Sequence, residues 1–244
     1  MLSQVVIANF IVSLGSIIGA IPLLIKSKKL ETFLIFLVSL SAGTLMGGAL
    51  IHLIPEASEK LSINTVMLIT GLAFSGFLVL EKLLHWHHNH DPKRQKNTKQ
   101  IIGYMNLAGD LVHNFIDGAT IAATFNVSPE LGLTTTIAIF MHEVPQELGD
   151  MGVLLHAGFS KTQALLMNFI TALSAVWGGI LGLCFIQANY NLTPYLLSIA
   201  AGGFIYIAAS DLVPEIKMET KLKESLGSLL MFGLGLLIMI WLKG

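Results

Sequence analysis

Apolar runs of about twenty residues recur along the whole chain, with short polar segments between them. A helix needs about twenty apolar residues to cross the hydrocarbon core of a bilayer. The pattern therefore predicts eight membrane-spanning helices, numbered here as spans one to eight. Their predicted bounds are residues 5–25, 33–53, 66–84, 101–125, 131–155, 164–186, 193–213 and 226–242.

The composition supports a membrane protein. Of the 244 residues, 54% are hydrophobic and only 12% are charged, whereas about a quarter of an ordinary soluble domain is charged. We expect an all-α membrane protein whose residues 1–244 form one transmembrane domain. The single cysteine, Cys184, excludes a disulfide within the chain.

The basic residues predict the orientation of the spans. Twelve of the 14 Lys and Arg residues fall near the ends of spans one, three, five and seven or in the loops that follow them, whereas the other loops hold only Lys60, and Lys243 lies near the C-terminus. Positive residues stay on the cytoplasmic side. Both termini should therefore lie on the non-cytoplasmic side, and we expect the plasma (inner) membrane as the location.

Spans two and seven contain an internal repeat. The segments AGTLMGGALIHLIPE (42–56) and AGGFIYIAASDLVPE (201–215) align without a gap, and His52 stands where Asp211 stands. The two spans cross in opposite directions in the predicted topology. Inverted repeats around a site at the membrane midplane are typical of transporters.

Besides Glu81 near the end of span three, six acids fall inside the predicted spans, together with His113 and His142. The acids are Asp110, Asp117, Glu143, Glu147, Asp150 and Asp211. One ionised group at the bilayer centre costs roughly 2.5–3.5 kcal/mol. Hydrogen bonds between helices could account for one such residue, but so many on neighbouring helices indicate a site for a cation.

The spacing of these groups predicts a metal site between spans four and five. Asp110, His113, Asn114 and Asp117 lie on one stripe of a helix. The pairs His113/Asp117 and His142/Gln146 are each four residues apart and can supply four ligands, and Asn114 and Glu143 could form a second, adjoining position. Imidazole with oxygen ligands suits Zn²⁺, Fe²⁺, Mn²⁺ or Co²⁺, and Cd²⁺ could follow zinc.

HNFIDG (113–118) followed by HEVPQELGD (142–150) resembles the paired signatures of helices four and five in the ZIP (Zrt/Irt-like protein) family of divalent-metal transporters. The resemblance covers nearly the whole chain. It implies an eight-helix fold, a homodimer in the lipid bilayer, and an elevator-like movement that carries the metal to the cytoplasm. The metal is then a transported substrate and not a prosthetic group.

Carried over by position, the resemblance implies a primary site of His113, Asp117, His142 and Gln146, with His52 as a contributor. It also implies a second position, formed by Asn114, Glu143 and Asp211, and a release path past His156. Gln146 stands where many members have His or Glu. A neutral amide is a weaker ligand and a poor bridge, which argues against a permanently bound second metal.

The chain also contains a histidine-containing loop, and two other functions are alternatives to transport. HWHHNHD (85–91), in the cytoplasmic loop 85–100, either captures released metal or is only a hydrated linker. One alternative function is an intramembrane zinc hydrolase, but its HExxH motif needs a second His where this chain has Gln146. A second alternative is a metal-sensing receptor that carries no flux. Nothing indicates a nucleotide or nucleic-acid partner, so we expect a transporter and not an enzyme.

Overall fold

The computed structural model describes residues 1–20, 29–86, 98–188, 192–217 and 222–243. These residues form helices joined by short turns, and no strand occurs among them. All eight predicted spans fall on helices, although residues 21–25 of span one lie outside the described ranges. The helices are α1 (Leu2–Ser13, Gly15–Ala20), α2 (Lys29–Gly47, Gly48–Leu53, Ile54–Ser58), α3 (Ile63–Trp86), α4 (Thr98–Val127), α5 (Pro129–His156), α6 (Lys161–Ala172, Ser174–Ala188), α7 (Thr193–Tyr206, Ile207–Leu212, Val213–Lys217) and α8 (Leu222–Lys243).

Local capping explains why α5 and α6 begin where they do. Ser128 has an extended backbone, its side chain accepts a hydrogen bond from the Leu131 N–H, and Pro129 occupies the first turn. Ser160 and Gln163 form a capping box at the start of α6. Gly158, in the turn between the two helices, has a φ of 94° that favours glycine.

The described helices are suited to a membrane by length and composition. Four stretches are long and apolar enough to cross one: Ile35–Ser58, Lys161–Ala188, Thr193–Ser210 and Glu224–Lys243. α4 and α5 are at least as long, but their apolar runs are interrupted by acids and histidines. The most polar helices are thus the ones that the sequence assigns to the metal site. The histidine-containing segment 87–97 lies outside the described residues.

The helices pack as two groups of four. α4 packs most closely on α6 and α5, and α1 packs on α5 and α6; in the other group α2 packs on α8 and α3 packs on α7. α2 and α7 also contact each other. The groups meet where α2 contacts α5 and where α7 contacts α4. In the first group, the Ser13 hydroxyl donates to the Ala172 carbonyl and the Ser174 hydroxyl to the Leu111 carbonyl, both at 2.7 Å.

The internal repeat extends to the backbone. α2 contains a π-helical turn over Gly48–Leu53 and α7 contains one over Ile207–Leu212, at matching positions of the two aligned segments. In each helix the N–H of the next residue, Ile54 or Val213, donates to the carbonyl five residues earlier, and a proline follows. Proline has no N–H with which to continue the α-helical ladder, so a wider turn before it is a suitable local solution.

Candidate metal-transport site

α4 and α5 place four candidate ligands at one point in the interior. Asp117, His142 and Glu143 are buried, and His113 is nearly so. One ligand atom from each lies within 4.8 Å of those of the other three. We call His113, Asp117, His142 and Glu143 the histidine cluster. The i, i+4 pair on α4 and the adjacent pair on α5 face each other across the helix contact.

The distances within the histidine cluster are short. The two Nε2 atoms of His113 and His142 lie 3.3 Å apart. The His142 Nε2 is 3.1 Å from the Asp117 Oδ2, and the His113 Nε2 is 3.2 Å from the Glu143 Oε1. Nitrogen and oxygen lone pairs from two helices therefore point into one small volume, as a bound cation requires.

The tautomer of His142 suits metal binding. Its Nδ1 lies 3.3 Å from the Ala138 carbonyl. A carbonyl oxygen can only accept, so a neutral imidazole that binds a metal through Nε2 can donate its Nδ1 proton to Ala138. An outer hydrogen bond of this kind orients a ligating histidine and fixes which nitrogen binds the metal. Nε2 is the nitrogen that faces the other three residues of the histidine cluster.

The carboxylates of the histidine cluster lack ordinary hydrogen bonds. Among the described residues, Asp117 Oδ2 and both Glu143 oxygens have no hydrogen-bond partner of normal geometry, although imidazole nitrogens stand within 3.6 Å. Buried polar atoms are usually hydrogen-bonded. With both carboxylates ionised and both imidazoles neutral, the cluster carries two negative charges, which a divalent cation would neutralise.

The other predicted site residues lie elsewhere. Gln146 is half-buried one turn after His142, and its side chain makes no hydrogen bond to the described residues. The Asn114 Nδ2 donates to Asp110 Oδ1 at 2.8 Å, away from the histidine cluster. The His52 Nε2 lies 2.8 Å from the Met239 carbonyl on α8, so His52 is not brought into the cluster.

His156 is exposed at the end of α5, and the Asp211 side chain lies outside the described part of the structure.

A second group of acids, which spacing alone does not assign to the site, also lies on α4 and α5. Asp110, Glu147 and Asp150 offer carboxylate oxygens within 4.8 Å of one another, and we call these three residues the acidic cluster. The spacing gives one signal, because Glu147 and Asp150 lie i, i+3 on α5. Their meeting with Asp110 depends on the register of α4 against α5, which spacing along one chain does not provide.

Comparison with known proteins agrees with this class of site. The family described as "ZIP Zinc transporter" matches residues 2–101 and 87–243. The chain is 33% identical to Zinc transporter YKE4 of Saccharomyces cerevisiae over an alignment of 239 positions, gaps included, that covers 84% of this chain and 68% of that protein. It is 31% identical to Zinc transporter ZIP13 of Pongo abelii over an alignment of 246 positions, gaps included, that covers 91% of this chain and 73% of that protein. It is 41% identical to Zinc transporter ZIP4 of Homo sapiens over 126 residues, 52% and 19%.

Over the described residues, helices of membrane length surround a buried cluster of candidate metal ligands, which defines the class as a helical membrane protein. The family match covers nearly all of its length. The chain belongs to the ZIP family of zinc transporters, which confirms the predicted resemblance. Proteins of this family are transporters rather than enzymes, and the metal is their substrate.

Proposed function

We propose that this protein carries Zn²⁺, and with it other divalent transition metals such as Fe²⁺, Mn²⁺, Co²⁺ or Cd²⁺, across the membrane into the cytoplasm. The observation that carries the proposal is the convergence of His113, Asp117, His142 and Glu143 between α4 and α5. Two imidazoles and two carboxylates form a ligand set that suits borderline metals of this kind.

The histidine cluster explains why polar groups stand at this depth of the fold. A cation that has shed water needs ligands there, and the buried carboxylates need a positive partner. Two ionised acids left alone would cost roughly 5–7 kcal/mol in total on the insertion scale. The cation and the acids therefore stabilise each other.

The remaining predicted ligands complete the site in our proposal. The side chain of Gln146 makes no hydrogen bond to the described residues that it would have to break. It can therefore turn toward the metal from its place one helical turn after His142. His52 and Asp211 occupy matching places in the two repeat segments. The His52 ring contacts the Met239 carbonyl on α8, so in our proposal His52 turns from α8 to reach the metal from α2, and Asp211 contributes from α7. Glu143 is a member of the histidine cluster and in our proposal also borders a second position with Asn114. Gln146 keeps that position from being permanently filled.

The proposed topology has eight membrane spans, both termini on the non-cytoplasmic side, and the plasma (inner) membrane as its location. It is supported by the distribution of Lys and Arg and by the eight helices found at the predicted places. The matching π-helical turns of α2 and α7 support an inverted repeat. In this orientation the start of α4 and the end of α5, with His156, face the cytoplasm.

The two groups of helices suggest how the metal moves. α1, α4, α5 and α6 form the moving unit, which carries the histidine cluster, and α2, α3, α7 and α8 form the static unit. The units meet at the α2–α5 and α4–α7 contacts, so sliding there would change the side of the membrane to which the metal is open. The exposed apolar faces of α3 and α8 face lipid or the second copy of a homodimer.

Uptake of radioactive zinc into proteoliposomes tests the proposal. Saturable uptake by the wild type should be abolished by His113→Ala and by His142→Ala. Leu111→Ala on α4 and Leu133→Ala on α5 are matched controls, because both side chains are exposed apolar groups, 46% and 59% accessible. Tight zinc binding without flux in any variant would favour the metal-sensing receptor instead; membership of a transporter family already stands against the hydrolase.

A further inference from the structure

The acidic cluster lies beside the histidine cluster on the same two helices. On α4, Asp110 precedes His113 by three residues and Asp117 by seven. On α5, Glu147 and Asp150 follow His142 by five and eight residues. At 1.5 Å per residue, both helices place the acidic cluster about 8 Å from the histidine cluster along the helix axes. The two helices run in opposite directions, so both displacements point the same way.

That direction is toward the cytoplasm if the proposed topology holds, and the inference rests on the proposed function to this extent. The start of α4 and the end of α5 form the cytoplasmic end of this helix pair. The acidic cluster therefore stands between the histidine cluster and His156, which is exposed at the end of α5. A cation leaving the histidine cluster inward would meet the acidic cluster next.

The acidic cluster has buried oxygen atoms without partners. Glu147 is fully buried, and neither of its carboxylate oxygens makes a hydrogen bond among the described residues. The Asp150 Oδ2 is also unpartnered. The second carboxylate oxygen of Asp150 accepts from the Asn106 Nδ2 at 2.8 Å. Three acids held together in the interior without a described cationic partner indicate that something positive binds there.

Neighbouring amides supply an independent indication. Asn114 is 0% exposed, and its Nδ2 donates to Asp110 Oδ1, which leaves its own Oδ1 without a partner beside the acidic cluster. Asn168 is 0% exposed as well; its Nδ2 donates to the Glu147 main-chain carbonyl at 3.0 Å and its Oδ1 is unpartnered. Thr171 donates to the Asp110 Oδ2. These contacts hold the carboxylates in place while further oxygen atoms remain available.

We propose that Asp110, Glu147 and Asp150 form an inner cation site that receives the divalent metal from the histidine cluster before release. The site offers oxygen ligands only. Oxygen ligands favour hard cations such as Mn²⁺, whereas imidazoles favour Zn²⁺. Zinc is therefore held less tightly at the acidic cluster than at the histidine cluster, and affinity falls along the path toward the cytoplasm. A transported ion needs such weakening to leave.

Binding of Mn²⁺ alone to the purified protein in detergent tests the inner site, with bound Mn²⁺ counted by electron paramagnetic resonance. The variant His113→Ala/His142→Ala lacks the outer imidazoles and should still bind one Mn²⁺ per chain. Adding Glu147→Gln should weaken that binding at least about tenfold. Glu130→Gln is the matched control, because Glu130 is an exposed acid at the other end of α5. No Mn²⁺ on the double variant, or full binding after Glu147→Gln, would overturn the inner site.

A second variant guards against misfolding. Asp150→Asn keeps the shape of a half-buried side chain and its contact with Asn106, and it should weaken Mn²⁺ binding in a protein that still elutes as a single species. In the wild-type background, Glu147→Gln should lower the saturating rate of zinc uptake while the half-saturating concentration changes little. A wild type that fails to transport zinc would refute the proposed function alone; normal transport with Mn²⁺ binding indifferent to both acids would refute the inner site alone.

Discussion

The close contact between α4 and α6 predicts that Gly118→Ala disrupts the site without removing any ligand. Gly118 directly follows Asp117. A Cβ at Gly118 would lie 1.9 Å from the carbonyl oxygen of Ala175 on α6. A carbon atom normally stays about 3.3 Å from such an oxygen, so the two backbones would have to separate by about 1.4 Å.

The obstacle is backbone on both sides of the interface. A Cβ at Gly178 on α6 would likewise lie 1.9 Å from the Phe115 carbonyl oxygen on α4, so no flexible side chain can move away. Overpacking of this kind costs about 1–3 kcal/mol, and the better helix propensity of alanine returns about 1 kcal/mol. We expect a net loss of up to about 2 kcal/mol of stability. A metal site tolerates ligand displacements of only about 0.5 Å. Zinc uptake should therefore fall by a larger factor than the loss of stability alone would produce.

Thermal unfolding in detergent and zinc uptake in proteoliposomes measure the two effects. Gly118→Ala should lower Tm by several degrees, at about 2–4 °C per kcal/mol for a chain of this length, and reduce uptake at least about tenfold. Gly149→Ala on α5 is the control, because nothing lies within 4 Å of a Cβ there. A Gly118→Ala protein with wild-type Tm and wild-type uptake would show that the α4–α6 contact does not position Asp117.

Three further predictions concern the ligands and the contact between the two groups of helices. Zinc and protons compete for His113 and His142, so uptake at low zinc should fall as the pH is lowered and be restored by more zinc. A rate independent of pH would contradict this. Gln146→His supplies an imidazole one turn after His142 and should lower both the half-saturating zinc concentration and the saturating rate, whereas an unchanged pair of constants would remove Gln146 from the site. Ser41→Ala leaves the Met141 carbonyl of α5 without its donor and should lower the free energy of unfolding by about 1–3 kcal/mol. Ser41→Thr keeps a hydroxyl and should restore part of that loss. Equal Tm values for the wild type and both variants would count against this hydrogen bond.

The sequence predicted the helices well because each span carries its own signal. Span five was predicted at 131–155 and the helix is Pro129–His156; the difference is the capping turn. The pairing of α4 with α5 was also predictable, because an imidazole and an acid on each helix have few ways to avoid lipid except to face each other. The resemblance to a known family added the expectation of a metal site, and family membership is confirmed.

Side-chain direction could not be predicted in the same way. His52 was expected to contribute to the primary site, yet its ring faces the Met239 carbonyl of α8. Glu143 was assigned to a second position, yet it stands with His113 and His142 in one cluster. Both outcomes depend on the rotation of one helix against another. A change of one residue in register turns a side chain by about 100°, and apolar spans restrain that rotation weakly.

Pro145 shows where prediction from the sequence ends. A proline within a helix has no N–H, so the carbonyl of Met141, four residues earlier, loses its helical donor, and this follows from the sequence alone. A buried carbonyl must find another partner. The structure supplies the hydroxyl of Ser41 from α2, a residue 100 positions away with no distinguishing pattern around it. Because α2 and α5 belong to different groups of helices, this hydrogen bond joins the proposed moving unit to the static one beside the histidine cluster, and any sliding of α5 past α2 must first break it.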